Sequence, residues 1–139
     1  MPVMNRRSFL QSVPAAALLS SLATADENST TVYELRIYHA VEGRLDDLLA
    51  RFRDHTMALF EKHGIKSLAY WTPTDHPAKG KTLVYILEHP SREEARANWR
   101  AFQDDPEWKS IKALSEANGP LVVTIDSTFM GLTDWSPRL

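Results

Sequence analysis

VYELRIYHA, residues 32–40, sets Tyr33, Leu35 and Ile37 on one side of an extended chain and Glu34, Arg36 and Tyr38 on the other. This period of two marks a β-strand with one apolar face and one charged face. The period then changes. Residues 43–63 repeat at helical spacing, with Leu45, Leu48, Leu49, Phe52, Leu59 and Phe60 in one stripe and Gly64 placed to end the helix. Two further strands follow, IKSLAYWT (65–72) and KTLVYILEH (81–89), separated by PTDHPAKG, whose prolines and glycine mark a hairpin loop. Ser91 and Glu94 form a capping box that opens a second helix carrying Ala95, Trp99 and Phe102 on its inner side. Asp105 and Pro106 read as the cap and first residue of a helical continuation with Trp108, Ile111 and Leu114, closed by Gly119. LVVTIDSTFM, residues 121–130, supplies the last strand.

The order β-α-β-β-α-β, with right-handed crossovers, specifies an α+β, ferredoxin-like sheet with both helices on one face. The first and third strands are expected side by side and parallel at the centre. Glu34, Arg36 and Tyr38 are expected on the face away from the helices. That face has no element left to cover it, and the last strand is apolar on both sides through Leu121, Val122, Val123 and Ile125. Two such sheets packed face to face would hide the exposed surface, so a two-fold homodimer is the simplest completion. In it Glu34 and Arg36 would pair across the interface with their counterparts.

Residues 4–28, MNRRSFLQSVPAAALLSSLATADEN, have another character. Arg6 and Arg7 precede an apolar run from Val13 to Leu22, and the small residues Ala23, Thr24 and Ala25 precede Asp26. This is the layout of a secretory signal peptide cleaved after Ala25. Asn5-Arg6-Arg7-Ser8-Phe9-Leu10 resembles a twin-arginine signal except that Asn5 stands where Ser or Thr is usual; a Sec signal is the alternative. The apolar run is interrupted by Pro14 and is shorter than the roughly 20 residues of a membrane-spanning helix. A periplasmic or secreted mature protein without a membrane span is expected. Residues 1–25 are thus signal, 26–31 a polar linker, 32–130 the folded domain and 131–139 a C-terminal tail. The formal charge of −2 becomes −4 once two arginines and no acids are removed, and the remaining Lys and Arg form no basic stripe of the kind that binds nucleic acid. The absence of cysteine rules out disulfides, thiol catalysis and thiolate metal sites.

YELRIYHA, RFRDHTMALFEKHGI, YWTP and HPSREEARANWRAFQDDPEW together resemble the NIPSNAP family of dimeric α+β barrel proteins, over about residues 32–130. The resemblance implies a ferredoxin-like fold and a homodimeric barrel. It implies little about chemistry, because the barrel relatives include haem-degrading monooxygenases, isomerases and stress-response domains.

Chemistry therefore rests on particular side chains. His55, three residues after Phe52 and four before Leu59, is expected on or beside the buried stripe of the first helix. There it would be a general base or an axial haem ligand, or else a core-edge histidine bonded to a backbone carbonyl. Tyr38, Tyr70, Trp71, Tyr85 and Trp99, with Phe102 and Trp108, would form either core or, where they converge, a site for a flat apolar ligand. His39 and His89 would lie at the same sheet edge if their strands were parallel, but no spacing supplies a third ligand, so no metal is expected. His63 reads as a helix C-terminal residue and His76 as a loop residue. No P-loop, dinucleotide fingerprint, G-x-S-x-G or paired-carboxylate signature is present. Three function classes remain. The first is a module binding a small apolar or aromatic ligand between helices and sheet, with no cofactor. The second is an enzyme, either a cofactor-free or haem-dependent monooxygenase or an isomerase. The third is a structural or interaction dimer.

Overall fold

The structure is a computed structural model and describes residues 30–139. The signal-peptide and cleavage assignments lie outside those residues. Four strands, β1 (Val32–Ala40), β2 (Lys66–Trp71), β3 (Thr82–His89) and β4 (Val122–Met130), form one sheet in the order β2-β3-β1-β4. The first helix, α1, runs through Leu45–Arg51, a π-helical turn Phe52–Thr56, and Met57–Lys62; α2 is Arg92–Asp104 and α3 is Pro106–Ser115. The β-α-β-β-α-β order is as the periodicity indicates. Among the described residues no helix is long and apolar enough to cross a membrane.

Local chemistry starts α2 and α3 and closes α1 where expected, whereas α3 ends at Ser115, short of Gly119. The Ser91 hydroxyl accepts the Glu94 amide at 3.0 Å, and the Asp105 carboxylate accepts the Glu107 amide at 2.8 Å with Pro106 as the first residue of α3. Gly64 closes α1 with φ +73°, a left-handed conformation for which glycine is suited.

Every strand pair is antiparallel, which corrects the expectation of parallel central strands. The α1 crossover returns β2 in the direction of β1, and the hairpin then reverses β3. Val32 consequently faces His89 and His39 faces Thr82. His39 and His89 sit at opposite ends of the pair and cannot share a metal ion.

The polarity of β1 is also the reverse of expectation. Glu34, Arg36, Tyr38 and Ala40 point toward the helices, whereas Tyr33, Leu35 and Ile37 lie half-buried on the open face. On β3, Leu83, Tyr85, Leu87 and His89 join the helix side, and Val84 and Ile86 join the open side. The core fills the space between sheet and α1 with Leu48, Phe52, Leu59, Phe60, Ile65, Leu83, Tyr85 and Leu87, and α2 adds Phe102. Open-face aliphatics are matched in register, Leu35 with Ile86 and Ile37 with Val84.

Candidate functional site

A β-strand delivers residues i, i+2 and i+4 to one face, so Glu34, Arg36 and Tyr38 stand in a row beneath the helices. Glu34 is 1% exposed, and its carboxylate receives four donors. His89 Nε2 and Trp99 Nε1 reach Oε1 at 2.9 and 2.8 Å, and Arg36 Nη1 and Ser127 Oγ reach Oε2 at 2.7 and 2.8 Å. These residues come from β1, β3, β4 and α2, so one carboxylate ties three strands to a helix. Burial alone would push the carboxyl upward, but hydrogen bonds from His89, Trp99, Arg36 and Ser127 outweigh it and lower its pKa to about 2. An ionised Glu34 can only accept, so His89 Nε2 carries a proton. The opposite ring nitrogen, Nδ1, is buried without a partner.

Arg36 is held as tightly. Its Nε donates to the Tyr85 hydroxyl at 3.0 Å and its Nη2 to the Tyr38 hydroxyl at 3.2 Å, while the guanidinium carbon lies 4.3 Å from the Trp99 ring centre. Burial works against the charge, yet the surrounding oxygens raise the pKa and keep Arg36 a cation. Three of its five N–H groups are engaged by Glu34, Tyr38 and Tyr85, leaving two.

The tyrosine hydroxyls fix a proton inventory. Tyr85 is fully buried, accepts from Arg36 and donates to Tyr38 at 3.0 Å. Burial pushes its hydroxyl well above the ordinary tyrosine range, so it stays protonated. Tyr38 oxygen accepts from both Arg36 and Tyr85, which leaves its own O–H free to donate.

Tyr38 is one wall of a cleft of about 680 Å³ between the helices and the β1–β4 edge. Tyr38, Phe52, Trp99, Phe102 and Trp108 line it with Arg36 and the Val122–Ile125 segment of β4, and Lys109, Lys112 and Glu116 of the α3 side give it a charged margin. Size and lining are those of a small-molecule site. The rings are pinned edge to face, Trp99 against Phe60 at 5.3 Å and against Phe102 at 5.7 Å. A second arginine, Arg51, reaches the cleft with its guanidinium 5.1 Å from the Trp108 ring centre; its Nε is buried without a partner, and burial lowers its pKa.

The residues singled out from sequence separate into groups. Tyr38 and Trp99 line the cleft. Tyr85 stands behind it, and Tyr70 stacks on Tyr85 with ring centres 5.0 Å apart and bonds Ser67 at 2.7 Å. Trp71 is 51% exposed and pairs with Val84 on the open face, apart from the cleft. His55 is corrected: it is exposed, off the cleft walls, in a shallow groove between α1 and α3. The cause is the π turn, in which Met57 N–H bonds Phe52 O. A wider turn rotates less per residue, so Thr56 takes the inward place and bonds Arg51 O at 3.3 Å, while His55 swings outward. His39 bonds the exposed Asp126 at 2.9 Å, and His63 bonds Asp105 at 2.7 Å. Glu34 and Arg36, expected as dimer contacts, pair within the chain instead. Hydropathy hides their role, with that of His89 and Ser127, because it assigns the Tyr33, Leu35 and Ile37 side of β1 to the core. The signal that could have exposed it is Glu-x-Arg-x-Tyr itself, a self-neutralising row on one strand face.

A family model described as NIPSNAP matches residues 33–137. No curated protein matches the chain. Among solved structures, an uncharacterised NIPSNAP-like domain protein from Burkholderia xenovorans is 18% identical, with TM-score 0.68 over 81% of this chain and 93% of that one. A NIPSNAP family protein of unknown function from Agrobacterium tumefaciens is 18% identical, with TM-score 0.68 over 81% of this chain and 96% of that one. SnoaB, a cofactor-independent oxygenase from Streptomyces nogalater, is 13% identical, with TM-score 0.51 over 78% of this chain and 99% of that one. At these identities the likeness is one of fold.

Proposed function

Since this chain belongs to the NIPSNAP family and holds a cleft between its helices and sheet, we propose that it binds there a small, flat aromatic ligand bearing an oxygen acceptor. The observation that carries the reading is the free Tyr38 O–H beside the fixed Arg36 guanidinium, at the wall of a cleft where Phe52, Phe60, Trp99, Phe102 and Trp108 converge. Rings of Trp99, Phe102 and Trp108 supply apolar surface, and Tyr38 with the spare N–H groups of Arg36 supplies direction. Because Glu34 and Tyr85 already hold Arg36 in place, little ordering accompanies binding.

A second reading, turnover by a cofactor-independent oxygenase, is favoured by the same pair of donors. A cation and a hydroxyl beside a bound phenol would stabilise its phenolate, the electron-rich form that reacts with oxygen. The description of SnoaB is compatible with this reading. Haem fits less well, because His55, the expected axial ligand, is not on the cleft wall. We also propose that a second copy covers the open sheet face and that residues 1–25 direct export.

The test is calorimetric titration with 2-naphthol and with naphthalene. The wild type should bind both saturably, and Tyr38→Phe should weaken 2-naphthol about 3- to 10-fold, one neutral hydrogen bond, while leaving naphthalene unchanged. Absence of saturable binding by the wild type overturns the reading.

A further inference from the structure

Beside the aromatic cleft, and sharing Arg36, Trp99 and Gln103 with it, lies a second cavity of about 410 Å³ between α2 and β4. Three arginines of α2 line it: Arg92, Arg96 and Arg100. Their spacing of four residues places them on one helix face in a row roughly 12 Å long. All three are exposed. Among the described residues none forms an ion pair within 4.0 Å, although other exposed cations such as Lys62, Lys66 and Arg53 do. Arg92 instead lies 4.0 Å from the Phe129 ring centre, which holds its guanidinium against the β4 wall. Like charges one turn apart repel, so the row is unfavourable to the helix by itself. The one carboxylate lining this cavity, Glu34, is occupied by four donors from the protein and offers no compensation.

We propose that this cavity holds an anionic group, carboxylate or phosphate, carried by the same ligand whose ring fills the aromatic cleft. The inference rests on the cleft reading for the ring, but the anion site can be tested alone. The shared Arg36 and Trp99 make the two cavities continuous. Guanidinium groups match the paired oxygens of carboxylate and phosphate through two parallel N–H bonds. The ligand class is thus an aromatic acid or an aromatic phosphate ester: ring over Trp99 and Trp108, anion along α2.

Calorimetric titration with 2-naphthol, 2-naphthoate and 2-naphthyl phosphate tests this at low and high salt. At low salt an anionic probe should bind at least about 10-fold tighter than 2-naphthol, and the advantage should shrink as salt rises. Which anion gains more distinguishes carboxylate from phosphate. Replacing the row (Arg92→Gln, Arg96→Gln, Arg100→Gln) should abolish the advantage without lowering the melting temperature, and 2-naphthol should still bind. Equal affinities for all three probes, or an advantage that survives the triple substitution, overturns the inference and leaves the cleft reading standing. If no naphthyl probe binds, the cleft reading fails, and inorganic pyrophosphate decides the anion site. Binding to the wild type but not to the triple variant supports it; binding to neither, or equally to both, overturns it.

Discussion

Glu34→Gln keeps the shape of the side chain at the centre of the site and removes its charge. In the wild type four donors share two carboxylate oxygens at 2.7–2.9 Å. A carboxamide offers one oxygen to two of them and turns an NH₂ group toward the other two. Either His89 and Trp99 or Arg36 and Ser127 therefore lose their acceptor, and Arg36, its side chain 15% exposed, loses its counter-ion. Charge-assisted hydrogen bonds contribute about 1.5–3 kcal/mol each, and breaking a buried pair by removing one partner costs about 3–5 kcal/mol. These describe much the same loss, so the expected destabilisation is about 3–5 kcal/mol, or roughly 10–20 °C in Tm for a domain of this size. Acid provides an independent check. Despite the upward push of burial, hydrogen bonding depresses the Glu34 pKa from 4.5 to about 2 in the folded protein. A depressed carboxyl contributes stability that is present above the unfolded value and is lost as pH falls through the folded one. The window therefore runs from about pH 4.5 down to about 2, and the contribution lost across it is about 3 kcal/mol. Urea unfolding of both proteins at descending pH should show the gap between them closing across that window. A variant within about 1 kcal/mol of wild type at neutral pH, or a gap that does not narrow in acid, would refute the argument that this carboxylate organises the site.

Val84→Asp places a charge opposite Ile37 and Trp71 on the open face; light scattering should report a folded monomer, and an undiminished dimer would remove the face-to-face assembly. His55→Ala alters an exposed side chain, so unfolding should shift by less than about 0.5 kcal/mol and 2-naphthol titration should be unchanged, whereas lost binding would return His55 to the site. Trp99→Phe removes the donor to Glu34 and narrows the ring under Arg36; thermal unfolding should show a loss of about 1–3 kcal/mol, and a neutral result would mean that the indole is not holding the pair. Sequencing the mature N-terminus should give Asp26, and a different first residue would move the cleavage site; changing Arg6 and Arg7 together to lysine should block export, and unimpaired secretion of that variant would favour the Sec route.

What the sequence discloses here is governed by the range of the interactions concerned. Ser91 with Glu94, and Asp105 with Pro106, act within three residues of one another, and the helix starts they predict are where the structure has them. Strand direction follows from counting reversals along the chain, and the expectation of parallel central strands overlooked the reversal made by the hairpin. The π turn at Phe52–Thr56 is harder, because nothing in FRDHT excludes an ordinary helical turn. The extra residue keeps Phe52 against Tyr38 at 5.5 Å while Phe60 still reaches Trp99 at 5.3 Å on α2. Those contacts belong to distant parts of the chain, and a helical wheel drawn on α1 alone sets His55 and Thr56 on either margin of the Phe52 stripe without choosing between them.

The inverted strand carries the larger lesson about the site. By hydropathy, Tyr33, Leu35 and Ile37 are the better core side of β1, and Glu34 with Arg36 the worse. Burying a carboxylate and a guanidinium is costly unless nearly every donor and acceptor is met. Here the Glu34 carboxylate meets four donors, and Arg36 meets a carboxylate, two hydroxyls and an indole face. That satisfaction needs Tyr85 and His89 from β3, Ser127 from β4 and Trp99 from α2, so it exists only once the sheet and α2 have assembled. A polar row can then occupy the helix side and leave the aliphatic row on the open side. The two rows suit different neighbours: the open side offers Leu35, Ile37, Val84 and Ile86 to a second sheet, beside the His39–Asp126 and Lys66–Glu88 pairs, and the polar side can orient a ligand. Alternation along VYELRIYHA thus specifies two surfaces of different chemistry, and the helix side belongs to the row whose partners lie elsewhere in the same chain.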